Sequence, residues 1–336
     1  MENKKITLSY GSGGKLMHQL IKNLFLKKFG NVISEKLDDS AVLPPIPNNF
    51  RIVFTTDSYV VKPIFFPGGD IGKLSICGTI NDLSVMGAKP RYISVSAIIE
   101  EGLEIEKLEK IINSIAETSK RAGVQIVCGD TKVVEKGAAD EIFLTTSGVG
   151  ILDNKLNISG RNAKPGNIVI LSGTIADHGI AILNARQELE LKGKLLSDVA
   201  PLNNLVEKML NAGKINTMRD PTRGGLATTL NEIAEQSDVG IEIIEERIPI
   251  NKSTKTVCNL LGLDPIYIAN EGKLLAIVEE KHAEKILSTI KKHPLGKNAE
   301  IIGKIISKPK AVFLKTRIGG TRILQMLESD QLPRIC

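Results

Sequence analysis

Apolar residues recur along the chain with two periods, one helical and one alternating, and the two take turns from end to end. Helical spacing links Leu16, Leu20, Leu24 and Phe25, after a glycine-rich turn at Gly11-Ser12-Gly13-Gly14. It returns over 71–86, closed by Gly87 and Pro90, and over 105–122, closed by Gly123. Strand patterns occupy 51–56, 91–99, 124–128 and 141–151, and a proline-rich loop at 44–47 precedes the first of them. A stretch rich in Asn, Ser, Gly and Pro at 153–166 marks a boundary, after which the alternation starts afresh. There the pattern predicts strands at 167–171, 240–244, 273–278 and 310–314, and helices at 178–191, 202–211, 224–236 and 283–292. The end of the chain is different. A short helix is predicted over 321–328, Pro333 prevents its continuation, and the last six residues read as an extended segment reaching at most ~20 Å. The fold class is α/β (α+β) in two lobes, 1–153 and 154–316, with a flexible C-terminal tail at 317–336.

Composition adds constraints. Hydrophobic residues make up 42% of the 336 and charged residues 24%, which is enough apolar material for a core. Aromatics are only 4%, with no Trp, so that core must be built from Ile, Leu, Val and Ala. The net charge is +6, but 38 acidic residues are interspersed among 44 basic ones. With no nucleic-acid motif and few rings for base stacking, no nucleic-acid partner is expected. The four cysteines form no CxxC pair, which fits a reducing compartment. No leader and no apolar run of membrane-spanning length is visible, so a cytoplasmic protein with no membrane partner is expected.

Candidate chemistry gathers at loops and strand ends. Gly11–Lys15 offers converging backbone N–H groups and a cation to an anion, yet it lacks the Walker spacing and by itself reads as a plain turn. Asp38-Asp39, Asp57, Asp82 and Asp130 are each a cap or turn former alone; several together supply the hard oxygens that Mg²⁺ takes beside phosphates. Asn81-Asp82 interrupts an otherwise apolar helix and asks for a reason. The stretch 218–225 packs Arg219, Asp220, Thr222, Arg223 and two glycines before a helix, which suits an anion or nucleotide, although Thr222 is also a plain N-cap. Asn270-Glu271-Gly272 lies between two strand-like runs; it reads as a hairpin turn, or it presents Glu271 as a general base. The four histidines have no metal spacing, and His178, beside Asp177 at a helix start, is the one placed to touch a site. Cys77 and Cys128 sit in apolar runs and are expected to be buried. Cys336 ends the chain after Pro333 and Arg334, either as a chance terminal residue or as a reactive thiol.

Taken together, Gly11–Gly14, 38–41, 55–58, 81–90, 129–132, 218–225, 270–272 and the ending Pro333-Arg334-Ile335-Cys336 resemble one family over the full length of the chain. It is the carbamoyl dehydratases of hydrogenase maturation, within the superfamily of aminoimidazole ribonucleotide synthetase, selenophosphate synthetase and thiamine monophosphate kinase. The aspartate-rich elements mark the superfamily and the terminal Pro-Arg-Ile-Cys marks the family; Lys15 stands where many relatives have Arg. The resemblance implies an N-terminal lobe that dimerises through its sheet, a C-terminal α/β lobe, and an ATP–Mg²⁺ site in the cleft near the dimer interface. It implies that a carbamoyltransferase, HypF, loads the Cys336 thiol. The loaded group is then dehydrated to a thiocyanate, and the cyano group passes to iron on a HypC–HypD complex. It further implies that Gly11, Ser12, Gly13, Gly14 and Lys15 cover phosphates and that Asn81, Asp82, Thr131, Arg219, Asp220 and Arg223 bind the nucleotide. Asp39, Asp57, Asp82 and Asp130 would hold Mg²⁺, with Lys132 and Glu271 handling the amide protons. Two rivals remain open. An ATP-dependent synthetase or kinase acting on a free small molecule predicts activity that survives loss of 331–336. A non-catalytic thiol carrier predicts that the aspartates do not matter.

Overall fold

The computed structural model describes residues 14–20, 22, 41–46, 49–187, 195–328, 332 and 334–336. After a short helix, Lys15–Leu20, come strands β1 (Ala41–Ile46), β2 (Phe50–Tyr59) and the small hairpin β3 (Phe65–Phe66) and β4 (Gly69–Asp70). Helix Ile71–Val85 leads to β5 (Lys89–Glu100), helix Ile105–Ala122, β6 (Gln125–Val134) and β7 (Ile142–Asp153). These form a five-stranded sheet in the order β1-β2-β7-β5-β6, antiparallel except for the β5–β6 pair. A parallel pair needs a crossover, and the 105–122 helix supplies it. The sheet buries one face against the 71–85 helix, through residues such as Tyr59, Ile93, Ala97 and Leu144. That helix is apolar nearly all round because the second lobe covers its far side. Asp70 caps it by accepting from the N–H groups of Gly72 and Lys73.

The second half supplies β8 (Ile168–Leu171), helices Asp177–Gln187 and Asn203–Ala212, β9 (Ile215–Arg219), helix Gly225–Ser237 and β10 (Gly240–Ile244). Helix Lys252–Leu261, β11 (Leu275–Val278), helix Glu280–Lys291, β12 (Glu300–Ile306), β13 (Val312–Lys315) and β14 (Thr321–Ile323) follow. Their strands make a seven-stranded sheet, β14-β13-β10-β12-β8-β11-β9. Helices cover both faces: 203–212 and 280–291 pack with Ile170, Ala276 and Val278, while 225–237 packs with Val169, Leu171 and Ile277. All four residues of β11 are therefore buried, and its sequence is a continuous apolar run.

Several expectations change. The proline-rich 44–47 stretch is not a loop up to Ile46: β1 carries it on the sheet edge, with a register shift between Val42 and Pro45. An edge strand tolerates proline because its outer N–H groups need no partner. The 321–328 segment is not a helix; residues 321–323 pair with β13 instead. The strand-like run that precedes Asn270, residues 266–269, is not a strand, since Pro265–Tyr267 is a 3₁₀ turn capped by Asp264. Strands β9 and β12 and the helix 252–261 were not anticipated from the pattern.

Candidate active site

The inward-facing residues of β2 alternate, and Thr55, Asp57 and Tyr59 point toward the 71–85 helix. The Thr55 hydroxyl donates to Asp82 Oδ2 at 2.8 Å, and the Tyr59 hydroxyl donates to Asp57 Oδ2 at 3.2 Å. Gly78 makes room for this arrangement, since a Cβ there would collide with the Tyr59 hydroxyl. The second lobe contributes Asp220, Thr222 and Arg223 from the turn after β9, and Glu271 from the segment before β11. Together with Ser58 and Cys336 these side chains line a small cavity between the two sheets, with about 40 Å³ of free space beside the docked tail.

The Asn270-Glu271-Gly272 segment is a buried clamp, not a hairpin tip. The Asn270 amide donates to the carbonyls of Pro221 and Ile268 and accepts from the Ala176 N–H. Asp198 accepts from the N–H groups of Glu271 and Gly272 and pairs with Lys273 at 3.1 Å. Gly272 is required, because a Cβ would run into the Asp198 carbonyl. Asn81 completes the clamp: its amide donates to the Glu271 and Ala200 carbonyls and its oxygen accepts from the Leu202 N–H. This is the reason for a polar residue inside that apolar helix. Its amide group is fully engaged by protein, so it acts on the cavity by fixing Glu271.

Electrostatically the cavity is rich in carboxylates. Burial, reinforced by Asp220, Asp198 and Asp57, holds Glu271 well above the usual carboxylate range, with Arg223 opposing. Glu271 is 3% exposed and its buried Oε1 has no hydrogen-bond partner among the described residues. Burial also raises Asp57, against the pull of Arg223 and the Tyr59 hydrogen bond. Such a set asks for a cation and for a ligand able to use the free oxygen. Among the described residues no three His, Cys, Asp or Glu side chains converge to hold a metal alone. The donors fit Mg²⁺ in its common form, held by one or two carboxylates with phosphate oxygens completing the shell.

The C-terminus docks into this cavity. The N–H groups of Val60 and Lys62 donate to the carbonyls of Cys336 and Arg334, so the tail runs antiparallel to the chain leaving β2. Arg334 spans Asp140, at 2.7 Å, and the Val60 carbonyl, while Arg186 donates to the Arg334 carbonyl at 2.6 Å. Lys62, then Arg334, hold the Asp140 carboxyl below its ordinary range. His178 Nε2 lies 2.6 Å from the Ile335 carbonyl.

Of the expected site residues, Asp57, Asp82, Asp220, Arg223, Glu271 and Cys336 meet in one place. Others do not. Arg219 pairs with Glu232 at 2.9 Å and does not line the cavity. Lys15 lies beside Glu328, both exposed, with its N–H on the Leu327 carbonyl, and Gly14 packs closely on the same segment. Asp130, Thr131 and Lys132 are exposed on β6, the free edge of the first sheet. Asp130 and Lys132 register with Ser96 and Ile98, on the face opposite the 71–85 helix. Cys128 is likewise exposed, not buried, because it lies on the outer face of that edge strand, which no other strand covers among the described residues. Gly11, Ser12, Gly13 and Asp39 lie outside the described residues. Tyr59, Asp140, Arg186 and Asp198 were missed; Tyr59 alone had a signal, its place two residues after Asp57 on the same strand face.

The chain matches the AIR synthase related protein family twice, its N-terminal domain over residues 37–152 and its C-terminal domain over 164–315. It is 47% identical to the carbamoyl dehydratase HypE of Bradyrhizobium diazoefficiens, over 100% of this chain and 97% of that protein. A crystal structure of a HypE–HypF complex superposes with a TM-score of 0.87 at 50% identity, covering 91% of this chain and 99% of the other. A crystal structure of the hydrogenase maturation protein HypE in complex with ATP superposes with a TM-score of 0.83 at 46% identity, covering 99% and 100%.

Proposed function

The chain belongs to the AIR synthase related family and, within it, to the HypE hydrogenase maturation factors, and from that membership we propose that it is an ATP-dependent carbamoyl dehydratase acting on its own C-terminal thiol. The observation that carries this reading is the docked tail: Cys336 lines the same cavity as Asp57, Asp82, Asp220, Arg223 and Glu271. A thiol substrate on a tether replaces a bimolecular encounter by an intramolecular one.

Converting the S-carbamoyl group to a thiocyanate breaks the C–O bond, makes the C–N bond triple and removes both protons from nitrogen. ATP, when bound, would supply the phosphoryl group that the amide oxygen accepts, so that the oxygen leaves as phosphate with ADP as the other product. Asp57 and Asp82, with Asp39 and Asp130, are proposed to hold Mg²⁺, and Arg223 to neutralise phosphoryl charge through its planar fork. Glu271 takes a proton from the amide nitrogen and Lys132 handles the second. Gly11–Lys15 cover the phosphates, Asp220 and Thr131 orient the nucleotide, and Asn81 and Arg219 serve it through the segments they brace.

The domains follow as 1–153 for nucleotide binding and dimerisation, 154–316 for the second lobe, and 317–336 for the substrate tail. A homodimer through the first sheet is supported by its outer face, where Phe50, Phe54, Tyr92 and Ile98 are exposed, and by Val127 (58%) and Val133 (68%) on β6. Asp130, Thr131 and Lys132 stand on that edge strand, so their roles are assigned to the dimer. HypF is proposed as the carbamoyl donor and a HypC–HypD complex as the cyanide acceptor. Among the described residues no helix is long and apolar enough to cross a membrane.

Intact mass spectrometry after incubation with HypF, carbamoyl phosphate and Mg-ATP tests the reading. The expected result is a carbamoyl adduct on Cys336 that then loses one water when ATP is present, and neither event in Cys336→Ala. ATP turnover indifferent to the tail would instead favour a small-molecule synthetase. A pH profile is a second check. Glu271 is raised, so only at higher pH does the ionised, proton-accepting form predominate. Single-turnover dehydration is expected to accelerate as pH rises; a flat or falling profile would exclude Glu271 as the base.

A further inference from the structure

His178 is fully buried, and both of its ring nitrogens are engaged. Nε2 lies 2.6 Å from the Ile335 carbonyl, and a carbonyl can only accept, so Nε2 carries the hydrogen. Burial lowers the imidazole's affinity for a second proton, which leaves Nδ1 bare. Nδ1 lies 2.8 Å from the Ser197 hydroxyl and accepts from it, while the Ser197 oxygen accepts from the Val199 N–H at 3.1 Å. Ser197 is itself fixed through its N–H to the Pro67 carbonyl, and the ring packs edge-on to Phe66 at 5.6 Å. Every hydrogen bond in the series thus has one direction, from the Val199 N–H through Ser197 and His178 to the tail.

The two ends of that series are functionally placed. Ile335 precedes the Cys336 residue and is only 2% exposed. Asp198, next to Ser197, holds the N–H groups of Glu271 and Gly272. One loop, 197–199, therefore ties the tail to the segment that carries Glu271. We infer that His178 is a positioning residue: as the Nε2–H tautomer it fixes the depth at which the Cys336 thiol sits opposite Glu271. The inference rests on reading Cys336 as the substrate thiol. Arg334, in the left-handed conformation at φ 57°, fits a tail held by several contacts at once. Without His178 the buried Ile335 carbonyl loses its donor and the docked state is penalised.

Alkylation of the full-length protein with iodoacetamide, followed site by site by peptide mass spectrometry, tests this without ATP or HypF. Free N-acetylcysteine in the same solution serves as the reference thiol. His178→Phe is expected to raise the Cys336 rate, relative to that reference, roughly tenfold. His178→Gln, which keeps an N–H for the Ile335 carbonyl, is expected to restore most of the protection. Should the Phe variant fold poorly, Ser197→Ala removes the donor that orients the ring, and a severalfold rise is expected. Equal Cys336 rates in all of these proteins, or a Gln variant no better than Phe, would overturn the inference. Single-turnover dehydration of pre-carbamoylated protein separates the two levels of the argument. If the unsubstituted protein loses no water, the proposed function falls while the alkylation result still decides docking. If it dehydrates and His178→Phe keeps the same rate, the positioning role falls.

Discussion

Glu271→Gln is expected to slow ATP-dependent dehydration of the carbamoylated thiol by roughly a hundred- to ten-thousandfold, with ATP affinity changed little. The expectation rests on what the substitution spares. The backbone of Glu271 is held by Asp198 on one side and Asn81 on the other, and Gln leaves both contacts intact. Only the titratable function is lost, from a carboxyl whose buried Oε1 has no partner among the described residues. A raised carboxyl next to a substrate nitrogen is suited to take up a proton, and an amide is not. Mass spectrometry on pre-carbamoylated protein gives the rate, and calorimetric titration with ATP gives the affinity. Unchanged dehydration in this variant would remove Glu271 from proton transfer and move attention to Lys132.

The second large effect is on stability. Asp198→Ala is expected to cost roughly 3–5 kcal/mol, because it strands Lys273 as an unpaired buried cation. The pair is 3.1 Å apart, with side chains 4% and 10% exposed. Burial acts to raise the Asp198 carboxyl, but Lys273 and the Glu271 N–H bring it below the ordinary range on balance. Its stabilisation is therefore complete above the unfolded carboxylate value and is lost as pH falls through the lowered one. Denaturant unfolding at neutral pH measures the loss, and Asp198→Asn, which keeps an acceptor for the N–H groups, should recover part of it. An Ala variant as stable as the parent would show that the ion pair contributes nothing net.

Much of the architecture was legible in the sequence. The helices over 71–86 and 105–122 are found as Ile71–Val85 and Ile105–Ala122 because their periodicity, closing glycines and the proline beyond the first act locally. Strand β14 was misread because three exposed residues carry no pattern; pairing with β13 makes them a strand. Cys128 was misread for the opposite reason, since its apolar neighbours suit a covered strand while β6 lies at an open edge.

The site divides along the same line. Residue chemistry and spacing singled out Asp57, Asp82, Asp220, Arg223, Glu271 and Cys336, because carboxylates and arginines at strand ends and helix starts advertise themselves in the chain. Which of the candidates share a cavity was decided by packing alone. Arg219 and Asp220 are adjacent in sequence, yet a strand sends successive side chains to opposite faces, and only Asp220 reaches the cavity. The tail's place is decided by contacts such as Arg334 to Val60, which join residues 274 positions apart. The burial that raises Glu271 and holds His178 neutral exists only once the two sheets close over them. The sequence by itself determined the elements and the inventory of reactive groups, because those follow from local pattern and residue type. The tertiary structure decided which groups face one another and in what protonation state, because both depend on desolvation and on partners distant in the chain.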